Sequence, residues 1–118
     1  MADRVDKTYV AAEGHSAHQY KIVVNSTGGV GRVGTAGARC AGVVQNKPKI
    51  NEAADVTMLG YARCFAGGTI ALGDDISSTA SGTATAAASG DYIIGQAITA
   101  VASGGIFDAM VVHVGYKG

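Results

Sequence analysis

The chain lacks an excess of either charge, a long apolar run and any tryptophan. Its nine basic and nine acidic residues give a net charge of zero, and its densest basic cluster is Lys47-Pro48-Lys49. Nucleic-acid-binding proteins usually carry a basic stripe, so we expect no nucleic-acid partner. No segment approaches the roughly 20 apolar residues that span a bilayer, so we expect no membrane partner. The absence of tryptophan counts against carbohydrate recognition, where large aromatic rings are favoured.

Cysteine is also scarce and occurs only at positions 40 and 64. Met1 is followed by ADRVDKTYV, which contains no apolar secretory core, so we expect synthesis in a cytoplasm. Thiols stay reduced in that compartment. We therefore expect Cys40 and Cys64 to be buried as small hydrophobic side chains, with a disulfide between them as the alternative.

Branched aliphatic residues and glycine dominate what is present. Valine and isoleucine together number 21 against 2 leucines, and glycine occurs 18 times. Branched side chains suit a pleated sheet and glycine suits turns, so this composition favours many short strands. We predict an all-β fold, a small single-domain barrel or sandwich. Because 21 residues are alanine, the core is lean, and we expect oligomerisation or a docked partner to add stability.

The first 20 residues differ from the rest in charge. Five charges occur within the first 13 positions, and large apolar residues are sparse there. We predict an extended N-terminal arm at 1–20, poorly ordered unless it is anchored, followed by a β-rich domain at 21–118. Tyr9-Val10 and Tyr20 are the candidate anchors.

Short apolar runs separated by turn residues predict the strands of this domain. The predicted strands cover residues 20–24, 39–45, 56–59, 61–65, 69–72, 92–98 and 106–114. Gly60 is a candidate bulge between two of them, and residues 51–55 predict a single helical turn. Both faces of the last strand are apolar, which indicates a central or interface strand.

The stretch from Gly60 to Ile76 concentrates scarce residue types and is predicted to be the folding hub. We expect a hairpin that turns at Gly67-Gly68. The side chains expected to face inward are Phe65, Ile70 and Leu72. Residues 77–90 are low in complexity, and we predict a flat hairpin that turns at Ser81-Gly82. A disordered linker and a short helix at 85–88 are the alternatives.

Residues 29–34 match the dinucleotide-binding pattern GxGxxG. That pattern holds a pyrophosphate only where it joins a strand to a helix. Residues 35–45 contain two glycines and end in two valines, so they do not predict a helix. We therefore expect no dinucleotide cofactor.

Other reactive side chains do not form a recognisable catalytic or metal site. His15 and His18, near Glu13, fall short of the three or four ligands that zinc requires, so we expect two solvated histidines. Asp74-Asp75 is predicted to serve a turn. Strand alternation places Cys64 inward and its neighbour Arg63 outward. Without a nucleophile beside a base, we expect no enzymatic activity, no catalytic residue, no cofactor and no small-molecule substrate.

Four motifs occur in an order and spacing that resemble a family of phage proteins. The motifs are GVVQNKP at 42–48, EAADV at 52–56, AGGTIALGD at 66–74 and GDYIIGQA at 90–97. Their order resembles that of capsid decoration proteins, also called cement proteins, of tailed phages. The resemblance covers about residues 35–114 and rests on the motifs together rather than on any one of them.

The resemblance implies a virion structural protein that binds the outer surface of an assembled icosahedral capsid and stabilises it by bridging capsid subunits. It implies the major capsid protein as partner, a homotrimer, and synthesis in the host cytoplasm followed by location on the capsid exterior. It supplies no catalytic residues. Terminal arms of such proteins often add to the capsid's sheet. We accordingly expect capsid contacts at Arg4, Lys7, Tyr9 and Tyr20.

Two other functions are compatible with parts of the sequence. A β-sandwich binding or adhesion module on a virion or cell surface would share the predicted fold. A dinucleotide-dependent enzyme would require the helix that the sequence does not predict.

Overall fold

The computed structural model describes residues 4–11, 19–26 and 29–117, without the side chains at 4, 5, 7 and 26. These residues form nine strands and no helix. The strands are β1 (Arg4–Val10), β2 (Ile22–Ser26), β3 (Gly29–Arg32), β4 (Gly42–Val44), β5 (Ala53–Phe65), β6 (Asp75–Ser78), β7 (Ala84–Ala86), β8 (Tyr92–Ala97) and β9 (Ile106–Tyr116).

All nine strands belong to one sheet in the order β3-β2-β4-β5-β9-β8-β6-β7, with β1 paired to β5 off this path. The paired strands are antiparallel throughout. The sheet curls, and a hydrogen bond of 2.7 Å from the Ile22 N–H to the Gly82 carbonyl joins β2 to the turn between β6 and β7. The predicted all-β, barrel-like fold is therefore confirmed.

The curled sheet encloses two hydrophobic clusters. A smaller cluster lies where the first strands come together, closed by a parallel bridge between Ala11 and Val30. Its buried members are Ala11, Val23, Val30, Val44, Ala54 and Val56. The larger cluster fills the rest of the curl. Its largest fully buried members are Ile22, Ile70, Ile76, Ile94, Val43 and Val111.

Strand β5 is the longest, with 13 residues, and it supplies both clusters. Its Ala53–Gly60 stretch pairs with β1, whereas Gly60–Phe65 pairs with β9. Val56 and Thr57 pair with both β1 and β4, so these two strands lie on opposite edges of β5. Gly60 likewise pairs with Arg4 of β1 and with Val111 of β9, so β1 lies on one edge of β5, and β4 and β9 share the other edge, end to end.

The sequence predicted two strands on either side of Gly60, and the structure joins them into one. Gly60 has a φ of 95°, and the register against β1 shifts nearby, between Val5 and Asp6. The irregularity expected at Gly60 is thus present without ending the strand. The predicted helical turn at 51–55 is wrong, because Asn51 takes a φ of 68° and β5 already begins at Ala53.

The predicted hairpin turning at Gly67-Gly68 is also wrong. Residues 69–72 form no strand, and only Ile70 makes a bridge, to Val101. Strand β9 instead takes the place beside residues 60–65, because its long apolar inner face buries more surface than a four-residue strand can. Ile70 is buried as expected, but Leu72 is 71% exposed and does not face inward. Phe65 is half-buried.

The low-complexity segment at 77–90 forms the predicted hairpin. Strands β6 and β7 pair antiparallel, with Ser77 opposite Thr85. The turn lies at 80–82, where Gly82 has a φ of 88°. The alternatives of a linker and of a helix are therefore wrong for this segment. Thr79 also donates its N–H to the Thr83 carbonyl at 2.8 Å, which closes the turn.

The remaining predicted strands near 22, 42, 92 and 106 are present, although β4 is shorter than predicted. Within the predicted arm, residues 4–10 form β1 and pair with β5 of the same chain. This pairing fixes residues 4–10 to the sheet, and an arm is ordered only where such a contact holds it. The division into an arm at 1–20 and a domain at 21–118 stays a prediction.

Two glycines allow neighbouring strands to approach closely. A Cβ atom at Gly42 would collide with the carbonyl oxygen of Thr57, and one at Gly95 with the carbonyl oxygen of Met110. Both contacts are with backbone atoms, which cannot rotate away as a side chain can. By contrast, a Cβ at Gly34 would meet nothing within 4 Å.

We predict that Gly95→Ala lowers the free energy of unfolding by about 1–3 kcal/mol, the usual cost of overpacking a core. Gly34→Ala is the matched control and should change it by less than about 0.5 kcal/mol. Urea denaturation of both variants measures the difference. Equal stability of the two variants would contradict the close approach of β8 and β9.

Both cysteines are free and buried, as the sequence predicted. Burial raises the pKa of Cys40 to about 12. Burial, with smaller contributions from Asp108 and Cys40, raises the pKa of Cys64 to about 12. A thiol must ionise to act as a nucleophile. Neither thiol is therefore set up for chemistry in the folded chain.

We predict that a disulfide reagent at pH 8 labels neither thiol until the chain is unfolded in guanidinium. Because the folded pKa lies above the unfolded value of about 8.5, the thiols' contribution to stability is complete below pH 8.5. It is lost as the pH rises towards 12. Urea denaturation from pH 8 to 10 should show this decline, and Cys64→Ala should reduce its slope. An unchanged slope in that variant would contradict the burial of Cys64.

Candidate docking surface

The exposed large apolar side chains concentrate on β5 and β9. Six of them lie on these two strands, each between 44% and 65% exposed. We call this set the apolar band. Its members are Leu59, Tyr61, Ile106, Val112, Val114 and Tyr116.

Strand alternation explains why β9 contributes so many of them. Phe107, Ala109 and Val111 face inward and are at most 2% exposed. Their neighbours Ile106 and Val112 therefore point outward. Since these neighbours are also apolar, β9 carries an apolar surface on both sides.

The register between β5 and β9 places the outward side chains beside one another. Tyr61 lies opposite Met110, Arg63 opposite Asp108, and Phe65 opposite Ile106. Directly opposed residues of antiparallel strands project from the same side of the sheet. The Arg63–Asp108 rung thus interrupts the apolar band, and with Tyr61 it lines a shallow depression of about 160 Å³.

The far end of β9 changes direction after its pairing with β5 ends at Val111. His113 has a φ of 52° and Gly115 a φ of 118°, both in the left-handed region. Beyond Val111 the strand pairs with β8 alone, through Gly115 and Tyr116. Val114 is 65% exposed on this diverging segment. The apolar band thus extends past the part of β9 that is fixed on both edges.

The structure places the sequence-predicted contact residues near the smaller cluster. Tyr9 is half-buried against that cluster, and its hydroxyl donates to the Met58 sulfur at 3.6 Å. Tyr20 is also half-buried and has a φ of 66°. Arg4 and Lys7 lie in β1, and their side chains are outside the described part of the chain.

Tyr20 is held mainly through its backbone. Its N–H donates to the Val44 carbonyl at 2.7 Å, and its carbonyl accepts from the Phe65 N–H at 2.8 Å. Both predicted anchors, Tyr9 and Tyr20, therefore contact the chain's own sheet. Neither is among the large apolar side chains of the apolar band.

The other candidate sites have structural explanations or lie outside the described ranges. His15, His18 and Glu13 lie outside the described ranges. Residues 29–34, which match GxGxxG, begin with β3 and lead into a loop. The Asp74 carboxylate accepts from the Ala71 N–H at 2.9 Å, as expected of a turn residue.

Among the described residues, no cluster of three histidine, cysteine, aspartate or glutamate side chains could hold a metal ion. Nowhere in the described ranges is there a helix of the length and apolarity needed to cross a membrane.

Sequence reasoning found part of the apolar band. The two apolar faces of residues 106–114 predicted an interface strand, which includes Val112 and Val114. Leu59 and Tyr61 were missed as surface residues, because apolar side chains in a strand usually predict burial. The signal that could have found them is their shared odd-numbered face with Arg63, which alternation places in solvent.

No protein-family profile matches the chain, and no curated protein matches it in sequence. Solved structures do match it. One is the crystal structure of the head fiber gp8.5 N base of bacteriophage phi29, with a TM-score of 0.73 and 18% sequence identity. The similarity covers 97% of this chain and 98% of that chain. At this identity the likeness establishes a shared fold along nearly the whole length of both chains.

We predict that the apolar band can be altered without cost to the isolated chain. Val114→Ala should change the free energy of unfolding by less than about 0.5 kcal/mol. Val111→Ala, on the same strand but buried, should lower it by about 1–3 kcal/mol. Thermal or urea denaturation compares the two variants. A large loss of stability for Val114→Ala would show that this side chain belongs to the core.

Proposed function

We propose that the chain is a structural protein of a phage virion. It binds the outer surface of an assembled icosahedral capsid and stabilises the shell by bridging neighbouring capsid subunits. The observation that carries the proposal is the fold shared with a phage head fiber base along nearly the whole chain. The order of the four sequence motifs supports the same class of protein.

The apolar band is the proposed docking surface for the capsid. Apolar side chains scattered singly are normal on a protein surface, whereas six of them concentrated on two neighbouring strands are typical of an interaction site. The band combines two aromatic rings, Tyr61 and Tyr116, with aliphatic side chains and the Arg63–Asp108 rung. Aromatic anchors bordered by charged groups are typical of protein–protein interfaces.

The residues predicted from the arm remain part of the proposal. Arg4, Lys7, Tyr9 and Tyr20 would contact the capsid beside the apolar band, since β1 pairs with β5, the strand that carries Leu59 and Tyr61 of the band. Removal of residues 2–19 is a poor test of this role, because it would also remove β1 from the sheet. Single substitutions separate capsid binding from folding.

A capsid presents many copies of the same site, so weak contacts can suffice. Once the chain has bound one capsid subunit, its contacts with a second or third subunit are intramolecular. The overall affinity for the shell therefore rises without any new type of contact. A homotrimer would multiply this effect. Because the bound protein favours the assembled shell over loose subunits, binding shifts the assembly equilibrium. This role requires no catalysis and no cofactor.

We predict that Leu59→Glu lowers the occupancy of the chain on capsids at least tenfold, because it buries an unpaired carboxylate in the interface. Leu72→Glu is the matched control, since Leu72 is equally apolar and 71% exposed but lies outside the band. Both variants should keep the thermal stability of the parent chain. Co-sedimentation with expanded capsids of the cognate major capsid protein measures occupancy.

The same experiment tests the proposal as a whole. The parent chain should co-sediment and raise the temperature at which the capsids disrupt. Failure of the parent chain to bind would refute the capsid role. Binding of the parent chain with equal occupancy of the two variants would refute only the docking surface.

A further inference from the structure

A cleft opens where β5 and β9 separate. Their pairing ends at Gly60 and Val111. Just beyond this point, Met58 from β5 and His113 from β9 line a cleft of about 260 Å³. Tyr9 and Tyr92 line it beside them, and the loop that leads into β4 contributes residues 39–41. With Asn25 of β2, which also lines the cleft, five strands and one loop converge on one small space.

Three polar side chains meet in this cleft. Tyr92 Oη lies 2.8 Å from His113 Nδ1, and Arg39 lines the same cleft. A guanidinium can only donate, whereas each ring nitrogen of histidine donates or accepts according to the tautomer. When Tyr92 donates to Nδ1, His113 carries its ring proton on Nε2. Arg39, and in that tautomer the Nε2–H of His113, then offer donors to a ligand.

The backbone at His113 is held in an uncommon conformation. Its φ of 52° lies in the left-handed region, which is uncommon for residues other than glycine, although histidine is enriched there together with asparagine and aspartate. Such residues occur often at ligand sites, where the surrounding fold holds them in place. Here the hydrogen bond to Tyr92 and the ring contact at 5.9 Å fix the imidazole beside the cleft.

The charge of the cleft has one sign. Arg39 is exposed and supplies a permanent positive charge, and among the described residues that line the cleft there is no carboxylate. No described carboxylate forms an ion pair with Arg39 either. The walls beside it include the apolar side chains of Ala41 and Met58.

We propose that this cleft binds a glutamate side chain from an acidic segment of a partner polypeptide. The carboxylate would accept hydrogen bonds from Arg39 and His113, and the two methylene groups would lie against Ala41 and Met58. A guanidinium suits a carboxylate because its planar donors match the two oxygens. The volume is below that of sites for drug-sized ligands, and it suits one side chain. The inference does not depend on the identity of the partner as a capsid.

The test is an NMR titration of the full chain with N-acetyl-glutamate N-methylamide. Saturable shifts are expected at the amides of Arg39, Ala41 and His113. The glutamine analogue, which has the same shape without the charge, should bind at least about tenfold more weakly. Arg39→Gln should weaken binding of the glutamate analogue to a similar extent. Lys47→Gln removes the same charge at an exposed position away from the cleft and should leave binding unchanged.

Three results would overturn the proposal. The first is equal binding of the glutamate and glutamine analogues, or no binding of either. The second is equal weakening by Arg39→Gln and Lys47→Gln, which would indicate a general charge effect. The third is tighter binding of inorganic phosphate than of the glutamate analogue, which would assign the cleft to phosphate ligands. The dispersion of the amide spectrum shows in each case whether the variant is folded.

Discussion

The two-sided pairing of β5 is the constraint on which the rest of the structure depends. This strand pairs with β1 on one edge and with β4 and β9 on the other. Its Ala54 and Val56 belong to the smaller hydrophobic cluster, whereas Ala62 and Cys64 belong to the larger one. A continuous β5 therefore couples the two into a single cooperative unit.

The same constraint explains where the candidate surfaces lie. Two strands share one edge of β5, so β9 must leave that edge for β4 to pair along it. Its departure after Val111 exposes Val112 and Val114 and opens the cleft lined by Met58 and His113. The apolar band beyond Val111 and the cleft thus both arise because β9 stops pairing with β5 at that residue.

Local signals in the sequence predicted the local parts of the fold. The hairpin at 77–90 was predictable because a glycine turn and alternating small residues lie within one short segment. The continuity of β5 and the absence of a strand at 69–72 were not. Both depend on the pairing of β5 with β9, whose paired residues are more than 40 positions apart in sequence. Local sequence patterns do not show which of several distant strands will pair. The candidate sites differ in the same way: the apolar last strand was visible in the sequence, whereas the cleft combines residues of β1, β2, β5, β8, β9 and a loop.

The glycines at 42 and 95 have a consequence for how this fold can change over evolutionary time. At both positions a strand is fixed against a neighbouring backbone by the absence of a side chain. Contacts of this kind depend on the path of the main chain and not on matched side-chain shapes. Small apolar residues of many kinds can fill the space between such points. A chain held together in this way can share one architecture with another chain at 18% identity.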